Sequence, residues 1–118
     1  MNKIEFGQKV RELREKKHLT QMEFAEMIDI TDKALSRIEV GRVFPHLTTL
    51  MAMANALDIS LEFLVSEKKA VGKELYIDEI KKRVSTMEMY AIKHILEYIR
   101  LYSETEYEHL QEWENNKK

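Results

Sequence analysis

The sequence predicts an all-α protein, in which a five-helix domain is followed by a C-terminal helical segment. Near the start of the chain, Phe6, Val10 and Leu13 recur at helical spacing, and the charged residues between them would face water. A capping-box pattern at Thr20 and Glu23 marks the start of a second helix. The length of 118 residues suits one domain or one domain with an appendage.

The first three helices can be placed from their start and stop signals. Helix 1 is predicted at Ile4–Lys17, where the apolar residues repeat at helical spacing. Helix 2 begins after Thr20, and helix 3 begins after Thr31, because both hydroxyl side chains are good N-caps. Gly41 ends helix 3, and the loop that follows contains Pro45.

Two shorter helices and a linker follow in the chain. Helix 4 is predicted at Thr48–Leu57, and Ser60 caps a short helix 5 that ends at Val65. The next stretch, SEKKAVG, is predicted to be a linker. The predicted organisation is therefore a folded domain at residues 1–66, a linker at residues 67–72 and a helical segment at residues 73–118.

The C-terminal segment also has apolar residues at helical spacing. Two helices are predicted at Lys73–Val84 and Thr86–Tyr102, and the acidic stretch Glu104–Glu114 is predicted to form a third. The second of these helices carries an apolar stripe made of Met89, Ile92, Ile95, Leu96, Ile99 and Tyr102. Helices of this length bury little of their apolar faces on each other alone, so the stripe predicts packing against a second copy.

The stretch Thr20–Gly41, TQMEFAEMIDITDKALSRIEVG, has the spacing of two short helices joined by a tight turn. Ala25 would lie where the two helices cross, since only a small side chain allows that approach. Asp29 falls at the turn, where a left-handed backbone is favoured and Asp tolerates it. Leu35 and Ile38 then supply apolar contacts that hold the second helix against the first. This is the pattern of a DNA-binding helix-turn-helix.

From about Phe6 to Val65 the chain resembles the Cro/phage-repressor (XRE) family of five-helix DNA-binding domains. Besides the motif, the resemblance rests on the stretches VRELREKKHLTQ, SRIEVGRVFP and LTTLMAMANALDISLEFLV, which occur in the family's order. It covers roughly half of the chain and implies a repressor-like fold that binds double-stranded DNA.

The resemblance also implies which side chains meet the DNA. Asp32, Lys33 and Arg37 match the positions of the family's base readers, and Arg37 can pair with guanine O6 and N7. The implied contacts to the DNA backbone are Gln21, Thr31, Ser36, Arg42 and Thr48. Arg14 and Glu39 occupy the positions of an internal ion pair between helix 1 and helix 3. The alternative is that the outward face of helix 3 is only a solvated surface.

The formal net charge of −2 means that any DNA-binding field must be local. Residues 1–66 carry nine basic and ten acidic side chains. The candidate basic groups for such a field are Lys33, Arg37 and Arg42 around the motif, with Lys9, Lys16 and Lys17 elsewhere on the domain. A segregated basic face binds phosphate even where the total charge is close to zero.

Composition narrows the classes of function further. With 44% apolar and 34% charged residues, no apolar run long enough to span a membrane and no signal-peptide core, a cytoplasmic protein without membrane association is expected. The four histidines show no metal spacing and the chain has no cysteine, so no metal site is expected. No catalytic constellation is present, so neither enzymatic activity nor a cofactor is expected.

These features predict a sequence-specific DNA-binding transcriptional regulator, acting as a homodimeric repressor on an inverted-repeat operator. The alternative is a protein-interaction module, such as an antitoxin or a regulator's partner, whose C-terminal helices bind a different protein. A small-molecule sensor is a third hypothesis, but about fifty residues after the linker leave little room for a ligand cavity, and no small-molecule ligand is evident.

Overall fold

The computed structural model describes residues 1–117, apart from the side chains of Tyr107 and Lys117, and these residues form seven α-helices. The helices are α1 (Lys3–Lys16), α2 (Gln21–Met27), α3 (Asp32–Glu39), α4 (Leu47–Ala56), α5 (Leu61–Val65), α6 (Lys73–Ser85) and α7 (Met89–Lys117). The all-α prediction is confirmed, and α1 to α5 begin and end close to their predicted bounds. Lys118, part of the predicted C-terminal segment, lies outside the described residues.

A single apolar core holds α1 to α5 and the first part of α6 in one compact unit, Met1–Lys82. The largest fully buried side chains are Phe6, Val10, Phe24, Leu35, Met53, Leu57, Phe63 and Leu64. Each such side chain contributes about 1.5–3 kcal/mol when it is removed from water. Because these side chains come from α1 to α5, the orientation of each of these helices depends on the same core.

Side-chain hydroxyls start the helices at the predicted positions. Thr20 Oγ1 accepts the Glu23 N–H at 3.1 Å, and Glu23 Oε1 accepts the Thr20 N–H at 3.0 Å, so the predicted capping box is confirmed. The Thr20 N–H and hydroxyl lower the pKa of Glu23, because hydrogen bonds to the carboxylate favour its charged form. The side chains of Thr31 and Ser60 likewise accept a backbone N–H and so cap α3 and α5. Each of these caps stabilises the fold by about 1 kcal/mol.

α1 to α4 end in a common backbone motif. The second residue after each helix adopts a left-handed conformation. The residues at this position are His18 (φ 56°), Asp29 (φ 58°), Gly41 (φ 86°) and Asp58 (φ 56°). The N–H of the next residue then bonds back into the helix, as when Ile30 donates to Ala25 O at 3.0 Å. The left-handed backbone predicted at Asp29 is therefore confirmed. Leu19, Ile30 and Ile59 follow three of these positions and pack on the core, which offsets the steric cost of the turn.

Gly7 of α1 lies directly against the end of α3. A Cβ built on Gly7 would lie under 3.0 Å from the carbonyl oxygens of Ile38 and Glu39. Glycine inside a helix costs about 0.5–1 kcal/mol relative to alanine. Here its lack of a side chain allows the backbones of α1 and α3 to meet.

The first compact unit extends beyond the domain boundary predicted at residue 66. Ala70, within the predicted linker, is 1% exposed and belongs to the core. The buried Asp78 of α6 accepts hydrogen bonds from the Ser60 N–H and hydroxyl, and Leu75 packs against the core. The first compact unit therefore continues to Lys82, and Asp78 anchors α6 to the start of α5.

Lys9 is buried instead of contributing to a basic surface. It is 5% exposed, and its Nζ donates to Phe63 O and, at 3.1 Å, to Ser66 O. Nζ also lies 4.4 Å from the centre of the Phe63 ring. Burial lowers the pKa of Lys9 to about 8, because desolvation penalises the charged form. Lys9 therefore ties α1 to the end of α5.

The second unit begins at Arg83 and contains α7, a continuous helix of 29 residues. α6 ends at Ser85, one residue beyond the predicted end at Val84, but the separate third helix predicted at Glu104–Glu114 is wrong, because α7 runs through this stretch without a break. The sequence has no glycine or proline after Gly72, so no residue there interrupts the helix. None of the described helices is both long enough and apolar enough to cross a membrane.

We expect Gly7→Ala to destabilise the first unit, although alanine is the better helix former. The gain in helix propensity is about 1 kcal/mol. Forcing a Cβ against two backbone carbonyls costs about 1–3 kcal/mol or more, because backbone atoms yield less readily than side chains. The free energy of unfolding, measured by chemical denaturation, should therefore fall.

Gln8→Ala is the matched control, since Gln8 is exposed on the same helix. It should change the free energy of unfolding by less than about 0.5 kcal/mol. A Gly7→Ala variant as stable as the wild type would contradict the close approach of α1 to α3.

Candidate nucleic-acid interface

The turn between α2 and α3 determines how these two helices lie against each other. Ile28 follows α2, Asp29 takes the left-handed conformation, and α3 begins at Asp32. Ala25 is 2% exposed, and its carbonyl oxygen accepts the Ile30 N–H across the turn. The tight turn and the small Ala25 side chain together hold α3 in place against α2.

α3 has a buried apolar face and an exposed polar face. Leu35 and Ile38 are 0% and 4% exposed and point into the core. Lys33 and Arg37 are exposed, and at 100° per residue they lie within about 40° of each other around the helix axis. α3 therefore presents two basic side chains, one turn apart, to the solvent.

The basic side chains around α3 are available to a ligand. Within residues 1–117, no salt bridge involves Lys33, Arg37 or Arg42. By contrast, the exposed Arg11 and Arg100 each lie 3.0–3.1 Å from a glutamate on the same helix. An arginine without an acidic partner keeps its whole fork of N–H donors for recognition.

The other predicted residues of α3 have local hydrogen bonds. Thr31 Oγ1 accepts the Ala34 N–H at 3.0 Å, and its hydroxyl hydrogen can still donate outward. One carboxylate oxygen of the exposed Asp32 accepts the Lys33 N–H at 2.9 Å, which leaves the other oxygen as an acceptor. Ser36 is half-buried beside the exposed face.

Arg42 lies in the loop that follows α3, and Thr48 lies just after this loop, in α4. The Arg42 N–H donates to Arg37 O at 2.9 Å, so the backbone of Arg42 stays next to the last turn of α3. Its side chain is exposed, as is that of Thr48 in the first turn of α4. Both side chains therefore follow the exposed face of α3 in the chain and face the solvent.

Three helices meet at a buried network centred on Glu39. Arg14 of α1 donates from Nε to Glu39 Oε2 at 2.8 Å and from Nη2 to Oε1 at 3.0 Å. Gln21, the first residue of α2, donates from Nε2 to Glu39 Oε1 at 3.0 Å. The Glu39 side chain is 2% exposed, and its hydrogen bonds raise the pKa of Arg14. The network gives Gln21 a structural contact that the sequence analysis did not predict.

The start of α3 adjoins an acidic groove. The groove has a volume of about 380 Å³, and its lining includes the carboxylates of Glu26, Asp29 and Asp32. A polyanion is repelled from this groove and attracted to the basic side chains of Lys33 and Arg37. The electrostatic potential around α3 therefore favours an anion at Lys33 and Arg37 and disfavours one at the groove, although the net charge of the chain is −2.

The residues predicted to form a dimer contact lie on α7, in the second unit. Their exposed fractions are 71% for Met89, 53% for Leu96, 48% for Ile99 and 61% for Tyr102, while Ile92 and Ile95 are half-buried. Exposed apolar side chains that are contiguous on one helix face are typical of protein–protein contacts. Elsewhere, no cluster of three His, Asp or Glu side chains among the described residues could hold a metal ion.

Comparison with known proteins identifies the family. A family model described as helix-turn-helix matches residues 10–64, from α1 to α5. The uncharacterized HTH-type transcriptional regulator YqaE of Bacillus subtilis (strain 168) is 32% identical over 85 residues, covering 72% of this chain and 72% of that protein. The chain belongs to the Cro/phage-repressor family of helix-turn-helix proteins.

Two further comparisons agree with membership of the Cro/phage-repressor family. The immunity repressor protein of Bacillus phage phi105 is 35% identical over 68 residues, covering 58% of this chain and 47% of that protein. The crystal structure of the P22 c2 repressor in complex with a synthetic operator matches with a TM-score of 0.51 and 25% identity, covering 53% of this chain and 96% of that one. The family resemblance inferred from the sequence is therefore confirmed.

Sequence reasoning missed two contacts that position α3 in this Cro/phage-repressor domain. Gly7 was not singled out, although a glycine inside an otherwise strong helical pattern often has a packing reason. The bond from Gln21 to Glu39 had no signal in the sequence, since the two residues are 18 positions apart. Both contacts act on the end of α3 and so help to set the direction of its exposed face.

We expect Arg14→Ala to destabilise this Cro/phage-repressor domain by about 3–5 kcal/mol, because it leaves the buried Glu39 carboxylate without its cationic partner. The variant also removes the hydrogen bond from Arg14 Nη1 to Leu19 O, which is 2.7 Å long. Chemical denaturation of the purified protein measures the loss.

Arg11→Ala on the same helix is the matched control, because Arg11 pairs with Glu15 at the surface. Exposed pairs of this kind contribute about 0.3–0.5 kcal/mol. A loss for Arg14→Ala no larger than that for Arg11→Ala would show that the buried pair does not hold α1 to α3.

Proposed function

We propose that this chain is a sequence-specific DNA-binding transcriptional repressor that acts as a homodimer on an inverted-repeat operator. The proposal is carried by the exposed face of α3, where Lys33 and Arg37 have no salt bridge with any described residue. The buried face of the same helix is anchored on the core by Leu35 and Ile38. A helix supported in this way can enter the major groove, which is about 12 Å wide, without losing its own packing.

Base reading is assigned to three side chains of α3. The Arg37 guanidinium donates two hydrogen bonds to O6 and N7 of a guanine, and Lys33 donates to guanine or to a phosphate. Asp32 accepts from cytosine N4 with its free oxygen. Because Asp32 also lines the acidic groove, it favours contact with a base edge over contact with phosphates.

Backbone contacts position α3 in the groove. Arg42 binds a phosphate through its guanidinium, and Thr31, Ser36 and Thr48 donate from their hydroxyls. Gln21 contributes its backbone N–H at the start of α2, where the helix dipole also favours an anion. One of its amide hydrogens is already used by Glu39, so only the other can reach a phosphate.

Homodimer formation is assigned to α7. A single α3 of eight residues reads only a short half-site, so two linked copies are needed for a specific operator. The exposed stripe that includes Leu96 and Ile99 is the surface that joins them. The two recognition helices then meet major-groove faces about 34 Å apart on the same side of the duplex.

Repression is favoured over activation by analogy. The names of the similar proteins include an immunity repressor and the P22 c2 repressor in complex with an operator. A bound dimer represses simply by occupying a promoter, whereas activation requires a further contact with the transcription machinery. Repression is thus assigned by family analogy, whereas DNA binding is assigned from the exposed basic face of α3.

Selection of bound duplexes from a random DNA pool tests the function as a whole. We expect enrichment of an inverted repeat whose half-sites are centred about 10 base pairs apart. Enrichment of a single half-site would retain the DNA reader but contradict the dimer. No enrichment at moderate salt would contradict DNA binding and favour a protein-interaction role for the C-terminal helices.

The two arginines on either side of the end of α3 should respond differently to substitution. Arg37→Ala should weaken binding to the selected site by about 1–3 kcal/mol and relax the base preference at one position in each half-site. Arg42→Ala should weaken binding to all sequences alike and lower the salt dependence of the binding constant, since about one counterion is released per phosphate contact. Quantitative binding assays at several salt concentrations measure both effects.

Arg11→Ala is the control, because it removes an exposed arginine of α1 that lies outside the helix-turn-helix. It should change neither base preference nor salt dependence. If Arg37→Ala left the base preference intact, Arg37 would not be a base reader.

A further inference from the structure

α7 has two halves of different chemistry. Residues 89–102 contain most of the exposed apolar side chains of α7, together with the basic Lys93 and Arg100 and one acid, Glu97, which lies 3.1 Å from Arg100. Residues 103–116 contain five glutamates and no Lys or Arg. The helix therefore has an apolar, weakly basic half followed by a strongly acidic half.

An apolar line nevertheless continues from the first half into the second. Leu110 follows Ile99 by eleven residues, which on an α-helix is three full turns plus about 20°. The two side chains therefore lie on nearly the same face of α7. The Leu110 and Trp113 side chains are 55% and 59% exposed, much like Leu96 and Ile99 in the first half. The face that a partner must cover thus runs along most of α7, whose 29 residues span roughly 43 Å.

We infer that the occupant of this face is α7 of a second copy, packed in the antiparallel orientation, with the acidic half of each helix along the basic half of the other. The inference rests on the homodimer in the proposed function and adds the orientation of its helices. Lys93 and Arg100 of each copy then lie opposite glutamates of the partner.

Charge decides between the two possible orientations. A parallel pair would bring together the two acidic halves, each of which carries five glutamates. Like charges across an interface are unfavourable, and burying part of the carboxylates adds a desolvation cost. The antiparallel pair instead places each acidic half next to the partner's basic half, in which Lys93 and Arg100 outnumber the single acid Glu97, so the net charges across the interface are of opposite sign.

The length of α7 favours overlap along the whole helix. Stable interfaces bury about 800 Å² on each partner. The apolar half alone, with 14 residues, spans only about 21 Å. Antiparallel overlap along the whole helix roughly doubles the contact and also covers Leu110 and Trp113. Ser103 then lies near the centre, where a small side chain allows the two helices to approach.

Spin-label distances test the orientation in the full-length protein. The chain has no cysteine, so Thr105→Cys and Asn115→Cys each introduce a single labelling site on an exposed position of α7. In an antiparallel dimer the distance between the two labels grows as the labelled position moves away from the centre of the helix pair. At a rise of 1.5 Å per residue, the label-to-label distance at position 115 should exceed that at position 105 by about 30 Å. In a parallel dimer the two distances would be alike.

Analytical ultracentrifugation of the same labelled samples separates the two proposals. A dimer with the long distance at position 115 supports the antiparallel pair. A dimer with equal distances overturns the orientation but leaves the homodimer intact. A monomer at the concentrations that bind DNA overturns the orientation and the homodimer together.

Charge reversal on α7 tests the pairing of the basic and acidic halves. Lys93→Glu combined with Arg100→Glu should raise the dissociation constant of the dimer by about tenfold, because the variant places acids against acids at both ends of the pair. The matched control, Arg11→Glu with Lys16→Glu, makes the same change in net charge on the exposed surface of α1. Equal dissociation constants for these two variants would overturn the charge-directed pairing.

Discussion

The paired hydrogen bonds between Arg14 and Glu39 hold the end of α3 against α1, and the direction of every candidate DNA contact on α3 depends on them. Glu39 also accepts a hydrogen bond from Gln21, so one carboxylate joins α1, α2 and α3. A buried carboxylate is tolerated only where its charge is fully partnered. The helix that meets DNA is thus positioned by an electrostatic constraint as well as by its apolar face.

α1 holds both α3 and α5 in the first unit. Gly7 allows the end of α3 to approach its backbone, while Lys9 bonds to the carbonyl groups at the end of α5. Asp78 then connects α6 to the cap of α5, and this connection extends the unit beyond the five-helix domain. The position of the exposed α3 face therefore depends on α1, which contacts the buried end of α3, and α1 is in turn held by α5.

Charge is distributed so that a chain with a net charge of −2 can still present a basic face. Lys33, Arg37 and Arg42 have no acidic partner among residues 1–117, and an acidic groove limits where a polyanion can approach. The largest acidic stretch lies on α7, in the other unit, where it complements the basic half of a partner helix in the proposed dimer. Local segregation, not total charge, is what makes the proposed DNA contact electrostatically favourable.

The sequence by itself determined the features that depend on neighbours in the chain. The caps at Thr20 and Thr31 and the left-handed turn at Asp29 follow from interactions over a few residues, so their patterns are legible in the sequence. Tertiary structure alone decided that Lys9 is buried, that Gly7 meets α3, and that the first unit continues to Lys82, because these depend on residues far apart in the chain. Local rules constrain dihedral angles and caps, whereas burial and long-range hydrogen bonds exist only once the helices have packed.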